Sequence, residues 1–158
     1  MGMLSAVALD GGFEVELAKS DAIKQALRQA LQLEGSTPNM LLSVGLKIAE
    51  TSLGNHQRTS AAGNLTTFIE PNWEQDDYSN EELSEMARAL VALAPFAEPG
   101  SYIEMRGDND RVFRYVARDG KLYFVWGYIS FDDPGEEVTP KPLASRSAGG
   151  MPRVGDSV

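Results

Sequence analysis

The chain has 158 residues, 42% of them hydrophobic, a formal net charge of -9, one histidine and no cysteine. That apolar content suffices for one domain's core and argues against disorder throughout, while disulfides, zinc-thiolate sites and a thiol nucleophile are excluded for want of cysteine. The acidic balance repels nucleic acid and anionic membrane and favours basic partners. Stretches such as Leu90 to Ala97 are too short to span a bilayer and the N-terminus lacks a secretion signal, so a soluble cytoplasmic protein is expected.

From Met3 to Leu17 two apolar stretches flank Asp10-Gly11-Gly12, a turn-like tripeptide that predicts an opening hairpin. Ser20 then precedes a run in which Ile23, Ala26, Leu27, Ala30 and Leu31 recur at three- and four-residue steps, with Asp21 near the positive end of the dipole and Gly35 as a stop. The spacing predicts a helix over Asp21 to Glu34, capped by Ser20. After Pro38, Leu42, Val44, Leu46 and Ile48 alternate, a period that predicts a strand. A second strand is expected near Leu65 to Glu70. The polar stretch from Gly54 to Asn64, which holds His56 and Arg58, reads as a loop.

Ser79 and Glu82 have the spacing of a capping box, and Leu83, Met86, Ala87, Leu90 and Val91 make the predicted buried stripe of a second helix that ends around Pro95. Beyond Pro99-Gly100, Asp119-Gly120 is a two-residue hairpin signal. It pairs Arg118 with Lys121, Ala117 with Leu122, Tyr115 with Phe124 and Phe113 with Trp126, so that one face is wholly apolar and should cover the core. The preceding Gly107-Asp108-Asn109-Asp110 turn cannot be a symmetric even loop, because that would bury Glu104 opposite Phe113. A bulge or odd-length loop, with Met105 and Ile103 opposite Phe113 and Tyr115, costs much less than a buried carboxylate.

The fold expected is therefore α+β: one domain over residues 1–133, a mainly antiparallel sheet in the order ββαββαβββ with two helices on one face and a C-terminal three-stranded meander. Residues 134–158, rich in proline, glycine and serine, are expected to form a flexible tail.

Seven carboxylates and no cation fall between Glu70 and Glu85, beside Trp73 and Tyr78. In a partner-binding reading, Glu74, Asp76, Asp77, Glu81, Glu82 and Glu85 steer a basic protein surface inward while Trp73 and Tyr78 serve as anchors. In the competing reading the acids only solvate a helix start. Arg106, Arg111, Arg114, Arg118 and Lys121 give the meander the opposite sign, and the aromatic residues there pair inward except Tyr123, which is not the pattern of an RNA-binding sheet. His56 has no second imidazole or thiolate to share a metal, and Asp108-Asn109-Asp110 lacks the later ligands of a calcium loop. No nucleophile elbow, Walker loop or dinucleotide fingerprint is present. No cofactor is implied. The function expected is a non-enzymatic acidic binding module of the inhibitor, immunity, anti-defence or adaptor kind. The alternatives are a small-ligand protein or enzyme with a site at His56 and Arg58 near the 54–64 loop, and an oligomeric structural subunit.

The order of elements, the stretch Ile69-Glu70-Pro71-Asn72-Trp73-Glu74-Gln75-Asp76-Asp77-Tyr78 and the hairpin Phe113-Arg114-Tyr115-Val116-Ala117-Arg118-Asp119-Gly120-Lys121 resemble a family of small uncharacterised actinobacterial and actinophage proteins. The layout matches over Met1 to Asp133, while the region of the first helix and the tail depart from it. The resemblance implies a phage, plasmid or actinobacterial setting and transfers no site residues.

Overall fold

The first strand, β1 (Ser5–Glu16), runs without a break through Asp10-Gly11-Gly12, where a hairpin was expected. The glycines serve a bulge instead. Gly11 has φ +99°, a Cβ there would run into the carbonyl oxygen of Tyr102, and the register against the neighbouring strand slips between Ala8 and Asp10. The structure, a computed structural model, describes residues 3–49, 58–60 and 62–127. The tail expected over 134–158 and His56 lie outside those residues.

One open antiparallel sheet organises the described chain in the order β2 (Leu46–Ile48), β4 (Leu65–Pro71), β1, β6 (Tyr102–Gly107), β7 (Val112–Arg118) and β8 (Lys121–Gly127). Two short strands lie off that path, β3 (Arg58–Thr59) on β4 and β5 (Tyr78–Ser79) on β1. Along its length β1 changes neighbours: residues from Ala6 to Gly12 pair with β6, and Phe13 to Glu16 pair with β4. Gly11 and Gly12 sit at that handover.

Three helices, not two, are present among the described residues: α1 (Ser20–Leu31), α2 (Thr37–Ser43) and α3 (Asn80–Leu93). Helix α2 replaces the first half of the strand expected from Leu42 to Ile48. The alternation of leucine, valine and isoleucine there is coincidental. The spacing that packing uses is Met40, Leu41 and Val44, all buried, whereas Leu42 is 51% exposed. Ser36 accepts from the Asn39 amide and Pro38 occupies the first turn, both helix-start signals. Helix α1 begins one residue early, at Ser20, so Ser20 is not its cap. It ends at Gln32 in the left-handed region, before Gly35 is reached.

In α3 the capping box forms as expected: Ser79 accepts from the Glu82 amide and Glu82 accepts from the Ser79 amide at 2.8 Å. Its buried stripe is rotated from the expected one. Ala89 and Leu93 are buried with Leu83, Met86 and Leu90, while Val91 is 57% exposed.

The meander holds the expected register. Phe113 faces Trp126, Tyr115 faces Phe124, and Asp119 and Gly120 both have positive φ, as a hairpin turn of matching twist requires. Met105 and Ile103 lie opposite Phe113 and Tyr115. The odd-length loop arises because Gly107 donates to the Arg111 carbonyl, Asp110 donates to the Gly107 carbonyl, and Asp110 adopts φ +64°. Glu104 consequently points to the open face, where Arg114 meets it at 2.7 Å.

A single apolar core joins one face of the sheet to the helices through Phe13, Ile69, Ile103, Met105 and Phe113 from the strands and Leu27, Met86, Leu90 and Leu93 from the helices. The domain is thus α+β, and among the described residues its helices lie on one face of the sheet and leave the other open. Among the described residues, no helix is long and apolar enough to cross a membrane.

Candidate functional site

The acidic segment reaches its position through a compact turn. Asn72 donates its amide to the Gly45 carbonyl at 2.9 Å, Gln75 donates back to the Asn72 carbonyl, and the Asn72 side chain accepts from the Glu74 amide. Gln75 then braces the turn against the helix start by donating to the Asp77 carbonyl and the Glu82 carboxylate. This leaves Glu74, Asp76, Asp77, Glu81, Glu82 and Glu85 exposed, with Glu82 partly committed to the cap.

Tyr78 is different. It was expected as a partner-facing anchor, yet its side chain is fully buried and its hydroxyl donates to the Gly45 carbonyl at 2.7 Å. Burial pushes its pKa up to about 12. A phenol wedged against a glycine backbone in the core fixes the turn that displays the acids and has no surface left to offer a partner.

Trp73 does reach the surface, at 43% exposure, and its surroundings decide what it can do. It stands at the rim of a recess of about 610 Å³ on the helix-free face, at the place where β1 exchanges β6 for β4. Four carboxylates line this recess: Asp10 and Glu14 from β1, Glu70 from β4, and Glu98 from the segment between α3 and β6. Aromatic walls come from Phe68, Trp73 and Tyr102, and Gly11 and Gly12 also line it, packed so closely that a Cβ at Gly11 would meet the Tyr102 carbonyl. Among the described residues, no lysine or arginine lines it.

Several of these groups are held in place. Glu98 donates its amide to the Glu14 carbonyl at 2.8 Å, and the Ser101 hydroxyl accepts from the Glu14 amide, which ties the 98–101 loop to β1. Glu14 accepts a 2.6 Å hydrogen bond from the buried Thr66 hydroxyl. The Tyr102 hydroxyl donates to Asp10 at 3.1 Å, and that acceptor holds the phenol's pKa above its usual value. Behind the Tyr102 ring lies the Arg114 guanidinium, 4.1 Å from the centroid and itself paired with Glu104. One face of the ring is thereby occupied.

Chemically, the arrangement suits a cation with an apolar stem. Aromatic faces attract a guanidinium or ammonium through their quadrupoles, and carboxylates at several heights along the wall can meet its N–H groups. A metal ion needs convergence, and among the described residues no three acidic or histidine side chains form such a group.

Of the residues singled out from sequence, Glu70 and Trp73 line this recess, and the exposed acids from Glu74 to Glu85 lie outside it. Asp10, Glu14, Phe68, Glu98 and Tyr102 were missed. They come from separate strands and loops with no shared motif; the one available signal was the Gly11-Gly12 pair, which was taken for a turn. Of the alternative site, His56 lies outside the described residues, and Arg58 is described only as backbone in β3.

No family model, curated protein or solved structure is significantly similar to the chain.

Proposed function

We propose that this chain is a non-enzymatic binding module that captures a basic protein surface by taking a lysine or arginine side chain into the recess beside Trp73. The observation that carries this reading is the coincidence, in one concave site, of four carboxylates and three aromatic side chains with no lining cation among the described residues. The exposed acids of the 74–85 segment extend the same negative field outward and would accelerate encounter, while the recess supplies the contacts that hold. An enclosed cationic side chain gains from both the ring faces and the carboxylates, whereas rim charges alone contribute little at physiological salt. A cysteine-free acidic chain suits the reducing cytoplasm, and an inhibitor or immunity role in a phage or plasmid setting is the biological form this reading takes.

Hexa-lysine and hexa-arginine peptides are direct probes. Titrated into isotopically labelled protein at low salt, they should produce saturable shifts at the Trp73 indole N–H and the Gly11 and Gly12 amides. Glu14→Lys combined with Glu70→Lys should weaken the interaction by roughly tenfold or more. Shifts confined to the 74–85 segment, or an affinity indifferent to the double reversal, would defeat the recess assignment.

A further inference from the structure

At the far end of the sheet from α2, strand β8 is an edge among the described residues, with apolar side chains exposed on both faces. Phe124 and Trp126 are 48% and 38% exposed on the helix side, and Tyr123 and Val125 are exposed on the other. Natural sheets protect such an edge with charge, proline or a bulge; β8 carries only Lys121, at its first position.

These side chains are also held in fixed positions. The Phe124 ring stacks on Phe113 at 5.0 Å and meets Trp126 edge-on at 5.0 Å. Arg111 lies 3.8 Å from the Trp126 centroid and Arg118 lies 4.3 Å from that of Tyr123. A rigid aromatic surface loses little conformational freedom on being covered.

We propose that β8 is a homodimerisation strand that pairs antiparallel with β8 of a second copy, in a register centred on Phe124. The strand's own arithmetic selects the occupant. The two-residue turn makes Arg118 and Lys121 a hydrogen-bonded pair, so alternation along the ladder directs the amides and carbonyls of Leu122, Phe124 and Trp126 away from β7. Centred on Phe124, a twofold places Phe124 against its own counterpart and Leu122 against Trp126, so every outward N–H of those three residues meets an outward carbonyl. On the open face Tyr123 falls opposite Val125. All of these cross-strand neighbours are hydrophobic, and Phe124 meets an identical ring.

Charge does not oppose this register, because Lys121 falls opposite the uncharged Gly127. No like charges face each other along the shared ladder. A register shifted by one residue would pair inward-directed backbone groups with outward ones, and a parallel arrangement would lose the twofold match. The pairing is independent of the acid-lined recess, which β8 does not touch.

The test uses the full-length chain. Sedimentation equilibrium from low to high micromolar concentration should show monomer and dimer in exchange. Phe124→Lys, which sets two ammonium groups against each other at the twofold, should raise the dissociation constant at least about tenfold while circular dichroism stays unchanged.

Because the chain has no cysteine, single substitutions report the register directly. Phe124→Cys should form a disulfide-linked dimer under mild oxidation, its Cα atoms being about 5.5 Å apart across a hydrogen-bonded pair. Leu122→Cys should not, since its counterpart lies four residues along the strand, about 13 Å away. A monomer at every concentration, a dimer insensitive to Phe124→Lys, or equal cross-linking of the two cysteine variants overturns the proposal.

Discussion

Gly45 and Tyr78 act as one unit at the base of the acidic turn. Gly45 has φ +79°, and a Cβ added there would collide with the Tyr78 ring, whose hydroxyl binds the Gly45 carbonyl. Gly45→Ala therefore combines left-handed backbone strain with overpacking of a fully buried ring, and a loss of about 3 kcal/mol is expected in urea unfolding. Tyr78→Phe is gentler, because the Gly45 carbonyl keeps the Asn72 amide as a donor; about 1 kcal/mol should be lost at neutral pH. The same residue governs behaviour in alkali. Burial raises Tyr78 and Tyr115 to about 12 in the folded chain against about 10 unfolded, so the folded state holds their protons more tightly. Their contribution is intact below pH 10 and is lost as pH climbs from 10 towards 12, each costing on the order of 2 kcal/mol. Unfolding midpoints measured from pH 9 to 12 should fall steeply for the natural chain and about half as far for Tyr78→Phe.

At the scale of elements, the α3 start makes a clean test of local encoding. Ser79→Ala removes the acceptor for the Glu82 amide and should cost about 1 kcal/mol, while Glu82→Gln preserves the reciprocal acceptor and should cost less; thermal unfolding of the two variants gives the order. This box, the Asp119-Gly120 hairpin and the odd loop after Gly107 were legible in sequence because each depends on residues within a few positions of one another, and because a buried Glu104 was too costly to accept. The failures have a common physical cause. Gly11 looks like a turn residue, but the close approach of the Tyr102 backbone, some ninety positions away, is what requires it. The alternation of Leu42, Val44, Leu46 and Ile48 imitates a strand because a helix and the strand after it happen to abut at Gly45. The recess was illegible for the same reason: β1, β4 and the loop before β6 contribute its walls separately, and only Glu70 and Trp73 lay in a segment whose composition drew attention. The aromatic face of the meander was half readable, since Phe113 and Tyr115 are covered as expected while their cross-strand partners Phe124 and Trp126 remain at the edge.

For the whole molecule, the two proposed surfaces differ in sign and should respond oppositely to salt. The recess and the 74–85 segment attract cations across water, and such attraction shrinks as the screening length falls from about 10 Å at 0.1 M towards about 4 Å at 0.5 M. The β8 edge is apolar along its contact, but each copy brings a net charge of -9, so the long-range term between two copies is repulsive. Screening removes that repulsion and leaves the cross-strand hydrogen bonds and ring contacts in place. Raising sodium chloride from 0.05 to 0.5 M should therefore weaken hexa-arginine binding by roughly tenfold or more while strengthening self-association several-fold. Sedimentation and peptide titration on one protein preparation separate the two. If salt dissolved the dimer as well, the association would be running through charged side chains, and the contact would have to be sought between the acidic segment of one copy and the Arg106 to Lys121 meander of another.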